Sequence, residues 1–348
     1  MKPGASMFQK IAVATGISIA VFFSIAVALV LSDSPPPVGN RTGDGGTLDF
    51  AGAIEADYSG MPDVTLFKAR DGTDLAYRRY DSTRPGAPWL FLVHGSGWNS
   101  MQWHPLAQWL SRQGLASVIA PDMRGHGANP GPRGDVGHIG QLEEDMADLI
   151  AVIRRPGDPR KVILGGHSSG GGFVIRYAGG KPAVPVDGYV LLAPFLKYDA
   201  PTVRPNSGGW AQPATRRIIG LVMLNTIRFP ALNHLPVISF NMPASVLEGP
   251  YGDLATTEYT YRMNVSFAPR DDYEADLASI DKPLLVVAGA DDEAFHADRF
   301  EPVISAQTDM GTYALLPGVS HLGVVLGEAV RPVLAGWLKE HFPAADGT

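Results

Sequence analysis

The sequence predicts an α/β protein: a mostly parallel sheet of eight strands flanked by helices, carrying a helical cap insertion and preceded by a transmembrane helix. Two observations carry the soluble part of this reading. Short β-branched or aromatic runs alternate with helical patterns, which is how a parallel sheet with crossover helices is written. Several of the runs are continuously apolar rather than alternating, as strands covered on both faces must be. A third observation sets the front apart, because no charged residue occurs from Ile11 to Leu31.

At about 1.5 Å per residue, a helix over 11–31 reaches across a hydrocarbon core of roughly 30 Å. Lys2 and Lys10 precede it and Asp33 follows. The positive-inside tendency therefore puts the N-terminus in the cytoplasm and the body on the periplasmic or extracellular side as a single-pass protein. The competing reading is a cleaved signal peptide, with Ala26-Val27-Ala28 as its small-x-small site, which would leave the body secreted. Residues 1–31 are read as the anchor. Residues 32–60, rich in Pro, Gly and polar side chains, are read as a flexible stalk.

From there, strands are expected at 64–69, 75–80, 89–94, 116–120, 162–166, 189–193, 284–289 and 313–316. Helices are expected around 106–112, 139–154, 170–178 and 322–340. In the second of these, Leu142, Met146, Leu149, Ile150 and Ile153 share one face. The stretch 197–280 is too long for an ordinary connection and is read as a cap or lid inserted into a core of 61–196 and 281–348. Its apolar residues suit a small core of its own, a lid over a pocket, or both.

Composition removes several classes. Lys and Arg number 28 against 35 Asp and Glu, a net charge of −7, so phosphate neutralisation and nucleic-acid binding are not expected. The chain contains no cysteine, which excludes disulfides, thiolate nucleophiles and Cys-ligated metals. No His-Glu-x-x-His or comparable ligand spacing is present, so neither a metal nor a cofactor is expected.

The chemistry falls at strand ends, where parallel sheets place it. The run Gly166-His167-Ser168-Ser169-Gly170 follows an apolar strand and opens a helix. Only Ser168 has glycine two residues before and two after. A serine on so tight a turn leaves no room for flanking side chains, and its hydroxyl stands above the sheet at a helix N-terminus. The amide of Ser169 can then donate to an oxyanion, and the amide of Ser96, in His94-Gly95-Ser96-Gly97 after another strand, can supply the second donor. A serine hydroxyl needs a base, and the base an orienting carboxylate. His321 closes the last strand. Asp292, in Gly289-Ala290-Asp291-Asp292, closes the strand before it and is preferred to its neighbour Asp291. Trp98, Tyr198, Tyr259 and Met263 are candidates for the substrate pocket.

With the loop Asp122-Met123-Arg124-Gly125-His126-Gly127, these markers resemble the α/β-hydrolase superfamily over about 64–342. They are most similar to its branch of monoacylglycerol lipases, lysophospholipases and serine aminopeptidase-like hydrolases. The resemblance implies an α/β-hydrolase fold with Ser168 as nucleophile, His321 as general base and acid, Asp292 as orienting carboxylate and the Ser96 and Ser169 amides as oxyanion hole. It implies a structural role for the Asp-x-Arg-Gly-His-Gly loop. The expected activity is hydrolysis of carboxylic esters, with a small-molecule or lipid acyl ester as substrate and the membrane as partner through the N-terminal helix. An aminopeptidase, amidase or thioesterase on the same residues is the alternative, with Glu248, Asp253 and Glu258 as possible amine ligands. An inactive tethered binding protein is a third. Ser169 stands where such elbows often carry methionine, and the insertion has no matching lid motif.

Overall fold

The computed structural model describes residues 7–37 and 48–343. Eight strands form the main sheet: β1 (Thr65–Lys68), β2 (Asp74–Tyr80), β3 (Trp89–Val93), β4 (Ser117–Pro121), β5 (Val162–His167), β6 (Gly188–Leu192), β10 (Leu284–Gly289) and β11 (Gly311–Leu316). Each lies within a few residues of its expected place. Their order is β1-β2-β4-β3-β5-β6-β10-β11. β2 pairs antiparallel with both β1 and β4, and all later pairs are parallel. Strands β3 to β6 and β10 are buried along their whole length, so the continuous apolar runs do mark strands covered on both faces.

The covering helices include α3 (His104–Arg112), α4 (Gln141–Ile153), α5 (Ser169–Gly179), α10 (Phe300–Ser305) and α12 (Val330–His341). The α4 residues Leu142, Met146, Leu149, Ile150 and Ile153 are all buried. The helix expected over 322–340 is instead two, α11 (Gly323–Leu326) and α12, because Gly327 turns extended between them. Pro332 explains the break. In the first turn of α12 its missing N–H costs nothing, whereas in the middle of one long helix it would remove a bond and clash with the preceding turn.

Between β6 and β10 the chain forms α6 (Thr215–Thr226), α7 (Ala244–Leu247), α8 (Tyr261–Ser266) and α9 (Tyr273–Ala278). It also holds a small antiparallel sheet, β7 (Ala211–Pro213), β8 (Pro236–Phe240) and β9 (Glu258–Thr260), so this stretch is not purely helical.

The front of the chain is α1 (Met7–Leu31), long and apolar enough to cross a membrane. Its last turns pack on α6: Ala26 and Val30 are buried with Leu221 and Leu224. Gly220 permits this contact, since a Cβ there would run into the Ala26 carbonyl. Arg217 donates to the Val30 carbonyl (3.1 Å) and Arg216 to that of Ser32 (2.9 Å), filling acceptors that a helix C-terminus leaves open.

The flexible stalk expected over 32–60 is corrected in part. Residues 38–47 lie outside the described residues, but the chain from Leu48 onward packs on the body, with α2 (Ala51–Glu55) at its centre. Leu48, Phe50 and Ala53 are buried. An average over the segment's Pro, Gly and polar residues hides this apolar spacing.

Candidate active site

The strand order reverses around β3, with β4 on one side and β5 on the other, so a crevice opens at the carboxyl ends of β3 and β5. Ser168 sits there between β5 and α5 with φ 53° and ψ −120°, a left-handed backbone that is costly for a residue with a side chain. The neighbouring structure holds it. Its N–H donates to Leu192 (3.0 Å), and its carbonyl accepts from Gly172 (3.0 Å) and Phe195 (2.9 Å). A Cβ on Gly166 would meet the Gly170 carbonyl, and one on Gly170 would meet the carbonyls of Val93 and His94. Glycine is required at both positions for the reason the sequence suggested.

The loop after β10 presents Asp292 and the loop after β11 presents His321. His321 Nδ1 and Asp292 Oδ2 are 2.9 Å apart, and both side chains are buried. The other carboxylate oxygen accepts the Ala294 and Phe295 amides, each at 2.8 Å, which fixes the plane of the group. With Nδ1–H donating to Asp292, Nε2 is the ring nitrogen with a free lone pair. Asp291 is exposed and uses its backbone N–H on Val319 (3.0 Å), clamping the two loops together. Of the two neighbouring carboxylates, Asp292 is the one that meets the histidine.

Among the described residues, neither the Ser96 nor the Ser169 amide donates to a backbone carbonyl. Ser169 is the first residue of α5, where an N–H has no partner within the helix. Both residues line a cavity that also contains Ser168 and His321.

A second ring of groups positions these. His167 donates from Nε2 to the His321 carbonyl (3.0 Å), while its Nδ1 accepts from Gln102 (3.1 Å) and the Gln102 oxygen accepts the Gly95 N–H (3.1 Å). His94 donates from Nδ1 to the Gly95 carbonyl (2.8 Å) and accepts the Met123 N–H at Nε2 (3.1 Å). The Gly97 N–H donates to the Tyr259 hydroxyl (2.9 Å), which donates to His126 Nε2 (2.7 Å). Burial pushes His94 down to about 4 and holds His126 and His167 well below the usual histidine range, so all three work as neutral rings. Burial likewise pushes the Tyr259 phenol up, keeping it a hydroxyl. Asp122 accepts the Ser100 (2.7 Å) and Ala128 (2.8 Å) amides, consistent with a structural role for its loop.

Of the pocket candidates, Trp98 and Tyr259 line the cavities beside Ser168. Tyr198 does not: it is 77% exposed and lines neither. Met263 is fully buried and packs against Gly125, so it is core. Sequence reasoning missed Trp210, whose indole N–H donates to Ser96 Oγ (3.1 Å), Gln102, and Glu293, which accepts the His321 N–H (2.8 Å). None stands in a motif, and each reaches the site only through the fold. The described residues include no cluster of three metal-ligating side chains.

A serine elbow at the switch point of such a sheet, with a buried histidine and carboxylate on the last two strand ends, defines an α/β-hydrolase enzyme. The chain belongs to the family described as serine aminopeptidase, S33, whose profile matches residues 87–324. It is 29% identical to a non-heme haloperoxidase of Rhodococcus erythropolis over 269 residues, covering 75% of this chain and 93% of that one. It is 28% identical to a bifunctional esterase/perhydrolase of Acinetobacter calcoaceticus over 235 residues, covering 64% and 80%. Among solved structures it is similar to a soluble variant of monoglyceride lipase from Saccharomyces cerevisiae (TM-score 0.61, 18% identity), covering 81% of this chain and 96% of that one. Its activity is of the esterase and lipase type.

Proposed function

We propose that this chain is a membrane-tethered serine hydrolase that cleaves carboxylic esters of lipid-like acyl groups through an acyl-enzyme on Ser168. The observation that carries the reading is the buried Asp292–His321 hydrogen bond beside a serine held at positive φ. Ser168 Oγ attacks the ester carbonyl while His321 Nε2 takes its proton, and the amides of Ser96 and Ser169 receive the oxyanion. Collapse expels the alcohol, which takes that proton from His321. Water then attacks the acyl-enzyme by the same route in reverse and releases the acid. Asp292 keeps the imidazole in the required tautomer and stabilises its charged form.

Two features favour a neutral, apolar substrate. Among the described residues, no Asp, Glu, Lys or Arg lines either cavity beside Ser168. Glu248, Asp253 and Glu258, the amine ligands that an aminopeptidase would need, are exposed and lie outside both linings. In this reading α1 spans the membrane with its N-terminus inside, residues 197–280 form a cap on a core of 61–196 and 281–348, and α6 lies beside α1 near the outer surface. Labelling of the full-length protein by a fluorophosphonate tests the nucleophile. The label should map to Ser168 and vanish in Ser168→Ala; a folded wild type that takes no label would exclude the mechanism.

A further inference from the structure

The cavity on one side of Ser168 is walled by residues from outside the hydrolase core. Leu48, Phe50 and Ala53, from the segment that joins the membrane helix to the body, line it together with Ser168 and His321. The Phe50 ring is 6% exposed and lies 5.9 Å from the ring of Trp98 and 5.5 Å from that of Trp210. The segment is also tied to the catalytic loops. Glu293 accepts the Asp49 N–H at one carboxylate oxygen (2.9 Å) and the His321 N–H at the other (2.8 Å), so a single side chain joins the tether to the backbone of the histidine. The Tyr58 hydroxyl closes the other end on the Ala53 carbonyl (3.0 Å).

What remains of the cavity is about 30 Å³. That is space for about two waters, whereas pockets that enclose whole ligands run to roughly 300 Å³ or more. Apart from Gly95, the two serines, Gln102 and the two histidines, its described lining is aliphatic and aromatic, a surface that takes a hydrocarbon chain. Phe50 is the largest side chain that the tether contributes to this lining, and its neighbour Trp210 is held by its bond to Ser96. The second cavity beside Ser168 has no tether residue in its described lining, so what Phe50 limits is a chain that enters the first.

We propose that Phe50 is a specificity-determining residue: the juxtamembrane segment 48–55 forms the end wall of the pocket that receives the apolar chain of the substrate, and the bulk at position 50 sets the chain length accepted. This rests on Ser168 being the nucleophile. A consequence is that the tether is part of the active site, so cutting it away changes selectivity as well as location.

The test uses the full-length protein in detergent, with two ester series: p-nitrophenyl esters of C2 to C12 acids, and acetates of C2 to C12 alcohols. Phe50→Ala should raise the C8 to C2 ratio of kcat/KM at least tenfold over wild type in one of the series, Phe50→Leu should raise it less, and Phe50→Trp should lower it. Fluorophosphonate labelling of each variant reports an assembled site, and Phe50→Leu and Phe50→Trp carry the test where Phe50→Ala takes no label. Ratios within twofold of wild type in both series, in variants that still take the label, would overturn the proposal and leave the mechanism standing. A wild type not labelled at Ser168 would overturn both.

Discussion

Acidification from pH 8 to pH 5 should destabilise this fold by far more than its carboxylates can explain, because three neutral histidines sit under the site. His94, His126 and His167 are buried, and burial depresses all three. The unfolded chain binds protons at these rings near the ordinary histidine value of about 6.5, while the fold resists them, so the unfolded state holds more protons below that pH. The stability they contribute is fully present above about 6.5 and falls as the pH drops toward the depressed folded values. His94, pushed down to about 4, costs about 2 kcal/mol at pH 5, and the other two add in the same direction. Against a typical stability of roughly 5 to 15 kcal/mol, the His94 share alone is a sizeable fraction. His104 adds in the same direction, again through burial. The carboxylates held low by hydrogen bonds and ion pairs, Asp71, Asp135 and Asp148, weaken the fold only nearer their ordinary range of about 4 and below, outside this window.

The assay is urea unfolding in detergent at half-unit steps from pH 8 to pH 5. The free energy should fall below pH 6 with a slope of more than one proton, above about 1.4 kcal/mol per pH unit. His167→Gln, whose amide can both donate to His321 and accept from Gln102, should remove about one proton from that slope. A wild-type slope below one proton would refute the reasoning, since it would mean that the rings titrate in the fold much as they do in the open chain. Activity should fall over the same range.

Other outcomes follow from the same geometry. Asp292→Asn should lower kcat by on the order of 10³ to 10⁴ by favouring the wrong tautomer of His321, while Asp291→Asn, altering an exposed neighbour, should stay within a fewfold of wild type; steady-state ester hydrolysis separates them. Tyr259→Phe leaves the Gly97 N–H without its buried acceptor and should cost about 1–3 kcal/mol in urea unfolding, with a fall in kcat as the Ser96 loop loosens. Gly220→Leu should cost about 1–3 kcal/mol by forcing α6 off α1, whereas Val222→Leu, on the exposed face of the same helix, should leave the melting temperature unchanged in a thermal scan of the full-length protein.

What the sequence discloses about this site is what the backbone alone demands. Gly166 and Gly170 are legible because an elbow at Ser168 tolerates no side chain beside it, and the buried strands are legible because both of their faces are apolar. Asp292 and Asp291 follow the same strand and differ only in which way the loop turns them, a choice made by the Ala294 and Phe295 amides and by Val319, none of which a motif contains. The same holds for Trp210, Gln102 and Glu293. Tyr198 misled because an aromatic residue soon after a strand end has no way of announcing that it points to water.

The tether is the sharpest case. Over 32–60, composition averages to a linker, yet Leu48, Phe50 and Ala53 are enough to bury a short helix once two tryptophans stand ready to receive it. The tryptophans are far away in sequence, Trp98 after β3 and Trp210 just before β7, so no local window contains the reason for the docking. Glu293 makes the contact consequential rather than incidental. Its two oxygens bind the tether and the His321 backbone together, so a shift of the segment is felt at the histidine through one carboxylate. If α1 is the membrane anchor and Phe50 ends the substrate pocket, as proposed, attachment and chain selection meet in residues 48–55, and a substitution there that is conservative by composition, such as Phe50→Leu, should change which esters are cleaved before it changes whether the protein folds.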